Sequence, residues 1–135
     1  MYDIAKKNIK LFNKENQIVQ FLDDGEAAID TIREKGIKDF DFVFIDAAKS
    51  HYKRFLDAIL PLCKDGTIIV SDNILFKGKT VSDEYDVNNK YKTSIRKMRE
   101  YIDYICSNSA LDTTINSVGD GVAISIIKNK RINND

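Results

Sequence analysis

The run Asp41–Asp46 (DFVFID) constrains this chain more than any other stretch. Phe42, Val43, Phe44 and Ile45 follow one another without polar alternation, the pattern of a parallel strand buried on both faces. Thr67–Val70 (TIIV) reads as a second buried strand. Between the two, His51–Cys63 carries Phe55, Leu56, Ile59 and Leu60 as one helical stripe. Parallel neighbours need a crossover of this kind, so the centre of the chain is a strand–helix–strand unit.

The flanks extend the alternation. Tyr2–Asn13 spaces Ile4, Ala5, Ile9, Leu11 and Phe12 as an amphipathic helix, with Lys6, Lys7 and Lys10 opposite. Ile18–Leu22 (IVQFL) reads as a short strand, followed by a turn at Asp23-Asp24-Gly25. Ala27–Lys35 reads as a helix that Gly36 closes in the left-handed conformation. Lys77–Lys90 is polar and reads as a loop; Tyr91–Cys106 is a helix on the register Ile95, Met98, Ile102, Ile105. Thr113–Val118 and Val122–Ile127 form an antiparallel hairpin through Gly119-Asp120-Gly121. The order implies an α/β fold, with a mainly parallel sheet and an antiparallel edge.

At 135 residues the chain is sized for a single domain, 1–135. Twenty-one basic residues balance 21 acidic ones, which removes the whole-molecule basic signature of a dedicated nucleic-acid binder. No apolar run approaches the roughly 20 residues of a membrane span, and no leader pattern opens the chain. The expected location is the cytoplasm, with Cys63 and Cys106 as reduced thiols on helix faces. One histidine and two cysteines do not suit a structural zinc site.

Open parallel sheets bind ligands at the carboxyl ends of their strands. Those ends carry Asp23-Asp24-Gly25-Glu26, Asp46, and Asp72-Asn73. Two carboxylates and an amide carbonyl at adjacent strand ends make an oxygen-only donor set suited to Mg²⁺, Mn²⁺ or Ca²⁺. The same residues equally suit a helix cap at Asp46 and a turn at Asp72-Asn73. Lys49, three residues beyond Asp46, suits a base beside a cation or an ordinary exposed loop lysine. His51 and Tyr52 are expected to start the next helix and pack, without a catalytic role.

DFVFIDAAKSHYKRFL, then GTIIVSDNILFKG, then SVGDGVAISI together resemble the cation-dependent S-adenosylmethionine O-methyltransferases of the catechol and caffeoyl-CoA type. DNILFKG with SVGDGVAISI is most similar to the bacterial branch that includes tRNA 5-hydroxyuridine methyltransferases. The resemblance implies metal ligation by Asp46, Asp72 and Asn73, a general base at Lys49, and cofactor contacts at Gly25, Glu26 and Asp46. It implies S-adenosylmethionine and Mg²⁺ (or Mn²⁺ or Ca²⁺) as cofactors. The acceptor would be a hydroxyl-bearing molecule, tRNA or a small phenol, and a homodimer is the family's habit.

The resemblance also implies features not found here. The family's glycine-rich cofactor loop has no counterpart, because only Gly119 and Gly121 lie close together and they sit in the hairpin. The expected fold is therefore the C-terminal part of a Rossmann-like methyltransferase, with its first two strands absent and the chain N-terminally truncated. Two missing strands would leave roughly 14 Å between IVQFL and DFVFID if both kept their places. IVQFL then either pairs directly with DFVFID or hangs at an exposed edge.

A methyltransferase-derived fragment without catalysis, or an interaction module, is the alternative function. A phospho-receiver domain is the remote one, since Asp23-Asp24 and Asp46 fit its acidic positions while Asp72-Asn73 and the single proline do not. Between Lys77 and Arg99, seven basic residues face three acidic ones, an excess that could meet phosphates. No aromatic stacking platform is evident beside it.

Overall fold

The computed structural model describes residues 1–128, so residues 129–135 of the expected single domain lie outside it. Four helices and four strands follow in the order α1 (Tyr2–Leu11), α2 (Gly25–Glu34), β1 (Phe40–Ile45), α3 (Tyr52–Ile59), β2 (Cys63–Asp72), α4 (Lys92–Ser107), β3 (Leu111–Asn116) and β4 (Val122–Ile127). The sheet runs β1-β2-β4-β3. The β1–β2 pair is parallel, and β4 joins both β2 and β3 antiparallel. The α/β reading and the terminal hairpin are present, but the described sheet is mixed and not mainly parallel: only the edge pair β1–β2 is parallel, and the central pair β2–β4 is antiparallel. Among the described residues no helix is long and apolar enough to cross a membrane.

Local chemistry explains the boundaries. The Asp24 side chain caps α2 by accepting from the Glu26 N–H at 3.0 Å, and Gly36 at φ +70° ends it. Helix α3 stops at Ile59, short of the expected Cys63, because Pro61 sits in a 3₁₀ turn over Leu60–Leu62. Cys63 accordingly opens β2 instead of lying on a helix face. Strand β2 is one long element with an interruption: its register jumps from Phe40↔Cys63 to Phe42↔Ile68. The buried Thr67 hydroxyl fastens that irregularity, donating to the Phe40 carbonyl at 2.6 Å and accepting from the Lys64 N–H at 2.9 Å.

Two strand expectations need correction. Residues 18–22 form no strand. A strand exists only through a neighbour's hydrogen bonds, and no described strand lies beyond β1. The segment instead begins in a turn, Ile18 N–H donating to the Lys14 carbonyl, and leaves Val19 and Leu22 exposed. Nor is DFVFID buried on both faces, since Phe42 and Phe44 are each 55% exposed while Ile45 is buried. The helix-covered face carries the core: Ile45, Ile69, Ala123 and Ile127 meet Tyr52 and Leu56 of α3 and Met98, Tyr101 and Ile105 of α4. Among the described residues nothing buries the opposite face, where Phe42, Phe44, Ile68, Ile124 and Ile126 are exposed.

Candidate active site

Strand register brings the sequence-predicted acids to one sheet edge. Ile45 pairs with Ser71 across the parallel ladder, so Asp46 and Asp72 follow as neighbours at the carboxyl ends of β1 and β2. Asn73 comes next, in the left-handed region at φ 55°. Its backbone N–H and side-chain amide both donate to Asp72 Oδ1, at 2.7 and 3.2 Å. Asp72 Oδ2 and the Asn73 amide oxygen take no part in these two bonds. Among the described residues no hydrogen bond or ion pair engages the Asp46 carboxylate.

Lys49 stands at the centre of these acids. Burial pushes its ammonium below the ordinary lysine value, while Asp46, Asp120 and Asp72 pull it back up. Its Nζ donates to the Tyr52 hydroxyl at 3.0 Å, and that hydroxyl donates to the Asp72 carbonyl at 2.7 Å. Tyr52 starts α3 and packs as expected, and burial raises its phenol to about 12. Its ring meets Tyr101 edge-on at 5.4 Å.

Asp120 belongs to the site and was not singled out from the sequence beyond its turn. The Gly119-Asp120-Gly121 turn folds back on the segment after β2. Asp120 Oδ1 accepts from the Lys77 N–H, its carbonyl accepts from Leu75, and the Gly121 carbonyl accepts from Ile74. Gly121 is required twice over: its φ is +79°, and a Cβ there would overlap the Leu75 side chain. The strapped segment holds Phe76 at φ 50° and Lys77 at φ 54°, so three of five residues from Asn73 to Lys77 are left-handed without being glycine.

The cofactor candidates separate. A cavity of about 260 Å³ is lined by Gly25, Ile29, Val43, Asp46, Ala47 and Phe55, among others, which joins the start of α2 to the end of β1. Its apolar walls, with a carboxylate at one end, suit a flat ring carrying a polar extension. Gly25 is tight against Phe55, whose ring atoms would lie 2.9 Å from an added Cβ. Glu26 turns away from this lining and pairs with Arg54 at 2.5 Å. Asp46, Asp72 and Asn73 bring two carboxylates and an amide to the strand ends; among the described residues no group of three His, Cys, Asp or Glu side chains could hold a metal ion.

The basic stretch divides as well. Arg96 and Lys97 pair with Glu100, and Arg99 pairs with Asp83. Lys79 instead lies over the rings of both Phe76 and Tyr91, at 5.5 and 5.6 Å, and Lys90 lies 5.6 Å over Tyr91. Phe76 and Tyr91 meet edge-to-face at 5.3 Å. A small aromatic and cationic group therefore does exist, three residues past Asn73. Composition could not reveal it, because Phe76 and Tyr91 are far apart in sequence.

Known proteins resemble this chain in sequence and in fold. The family model described as O-methyltransferase matches residues 1–128. A catechol O-methyltransferase of Niastella koreensis is 30% identical over 93% of this chain and 57% of its own length. The structure of a putative caffeoyl-CoA O-methyltransferase from Staphylococcus aureus superposes with a TM-score of 0.79 at 25% identity, over 93% of this chain and 59% of that one. An O-methyltransferase from Bacillus cereus in complex with SAH gives 0.80 at 23% identity, over 94% and 58%. The chain thus spans a little over half the length of these relatives.

Proposed function

This chain belongs to the O-methyltransferase family, and on that premise we propose that it serves methyl transfer from S-adenosylmethionine to a substrate hydroxyl, assisted by a divalent cation. The observation that carries the reading is the convergence of Asp46, Asp72, Asn73 and Lys49 at the carboxyl ends of two parallel strands. Bound cofactor would supply an electrophilic methyl group, and a bound cation Lewis acidity toward the acceptor oxygen. The protein's part is holding and proton management. Asp46, Asp72 and Asn73 offer hard oxygen donors to the cation. Gly25 and Asp46 border the cavity for the cofactor, with Glu26 contributing at most its backbone. Lys49, whose neutral amine burial favours, would take the proton of the acceptor hydroxyl as its oxygen gains the methyl group and the sulfonium–methyl bond breaks. The Cys63 thiol donates to the Ile59 carbonyl at 3.3 Å, and a cytoplasmic setting is part of the same proposal.

A small phenol is the acceptor we favour, in keeping with the relative named catechol O-methyltransferase. A hydroxylated uridine in tRNA is the second reading, favoured by Lys79 and Lys90 over the Phe76–Tyr91 pair. One assay tests both: methyl-labelled S-adenosylmethionine with catechol or tRNA, with and without EDTA. Transfer to catechol should disappear with EDTA, and Lys49→Met should lower it by about 100-fold. Transfer that survives both would sink the mechanism. Labelled tRNA, weakened by Lys79→Glu with Lys90→Glu, would move the choice to the second acceptor.

A further inference from the structure

The geometry points to Tyr52 as a positioning residue that fixes Lys49 to the end of β2, an inference that rests on the role given to Lys49 above. A tyrosine hydroxyl has one proton. Here it goes to the Asp72 carbonyl at 2.7 Å, and a carbonyl can only accept. The phenolic oxygen therefore turns its lone pairs outward, and Lys49 Nζ donates to it at 3.0 Å. Lysine carries a four-carbon stem with many rotamers, and Lys49 lies in the irregular segment between β1 and α3. The hydroxyl at its tip selects one of those rotamers.

The anchor itself cannot drift. Tyr52 is fully buried at the first position of α3, its ring 5.4 Å from Tyr101. The Tyr101 hydroxyl in turn bonds the buried Ser71 hydroxyl, one residue before Asp72. Through the Tyr52 hydroxyl's own bond to the Asp72 carbonyl, and not through the Tyr101 hydroxyl, Lys49 is tied to the strand end that carries Asp72 and Asn73, so base and acids keep one geometry. The 5.0 Å from Lys49 Nζ to the centre of the Tyr52 ring follows from the same hydrogen bond.

Tyr52→Phe removes the hydroxyl and keeps the ring. Tyr101→Phe is its control, a second buried phenol whose hydroxyl does not touch Lys49. The readouts are the Lys49 side-chain signals in lysine-labelled protein by NMR, Mn²⁺ binding, and the split between kcat and KM. In the wild-type chain, Lys49 Cε protons should give contacts to the Tyr52 ring. Tyr52→Phe should abolish the single Lys49 environment and lower kcat about tenfold with KM within twofold. Tyr101→Phe should leave the Lys49 signals, Mn²⁺ binding and kcat unchanged while lowering stability. Unaltered Lys49 signals in Tyr52→Phe, equal losses in Tyr101→Phe, or no Lys49–Tyr52 contact in the wild type would overturn the assignment. The wild-type contact measurement decides even if Tyr52→Phe does not fold. A wild-type chain with the contact but neither Mn²⁺ binding nor transfer would count against the reaction, not against the anchoring.

Discussion

Lys49 sets burial against charge within a single side chain. Desolvation lowers its pKa from the model-compound value of 10.5, and Asp46 supplies the largest opposing pull. Asp46→Asn deletes that pull and leaves desolvation in place, so the Lys49 pKa should fall further. Titration of the Lys49 Cε resonance checks this: a value at or above 10.5 in the wild type, or a rise in Asp46→Asn, would refute it. The linkage to stability has a definite sign. Between the folded and unfolded pKa values the unfolded chain holds more protons, so Lys49 makes stability rise with pH through that window. Below the folded value the full cost of burying the ammonium is present. Desolvation therefore acts on Lys49 in the direction a base needs, toward the neutral amine.

The hairpin β3–β4 acts on the site through its turn rather than through its strands. Its Gly119-Asp120-Gly121 corner accepts from the backbone N–H groups of Ile74, Leu75 and Lys77 and holds the left-handed residues that follow β2. Gly121→Ala must place a Cβ into Leu75 at a positive φ. The two penalties together should cost about 2–4 kcal/mol in chemical denaturation. Cation affinity should fall with it, because Asn73 leads into the released segment; a variant with wild-type stability would disprove the close fit. This contact was not legible in the sequence. Asp46, Lys49, Asp72 and Asn73 were, because each lies within a few residues of an apolar run whose direction fixes where the strand ends. Asp120 reaches them only by long-range folding, and a Gly-Asp-Gly string is first of all a turn. Residues 18–22 failed for the converse reason: their composition suits a strand, but pairing depends on a partner that local sequence does not report.

At the scale of the whole molecule, the sheet has one covered face and one bare face. Phe42, Ile68 and Ile126 lie in register across β1, β2 and β4, with Phe44, Val70 and Ile124 in the next row. Phe42 is 55% exposed, Ile126 43% and Ile68 39%, so the rows form a continuous apolar surface. The unbroken run of DFVFID signalled two-sided burial because periodicity reports how apolar a strand is, not which layers are present to cover it. Soluble proteins rarely leave apolar patches larger than a few hundred Å² open to water, and such patches bind hydrophobic dyes and one another. The wild-type chain should therefore enhance anilinonaphthalene sulfonate fluorescence and sediment with a concentration-dependent mass. Phe42→Lys with Ile126→Lys should reduce both effects severalfold. Stability should change by only about 1 kcal/mol, because both side chains are substantially solvated and Ile126 stands directly opposite Asp112 on β3, where a lysine gains a cross-strand ion pair. The site lies at the strand ends and its base on the covered side, so cation binding should match the wild type in the double variant. Dye binding unchanged by the two lysines would mean that the bare face is not what the dye reads. Lost cation binding at preserved stability would mean that this face and the strand-end site are coupled.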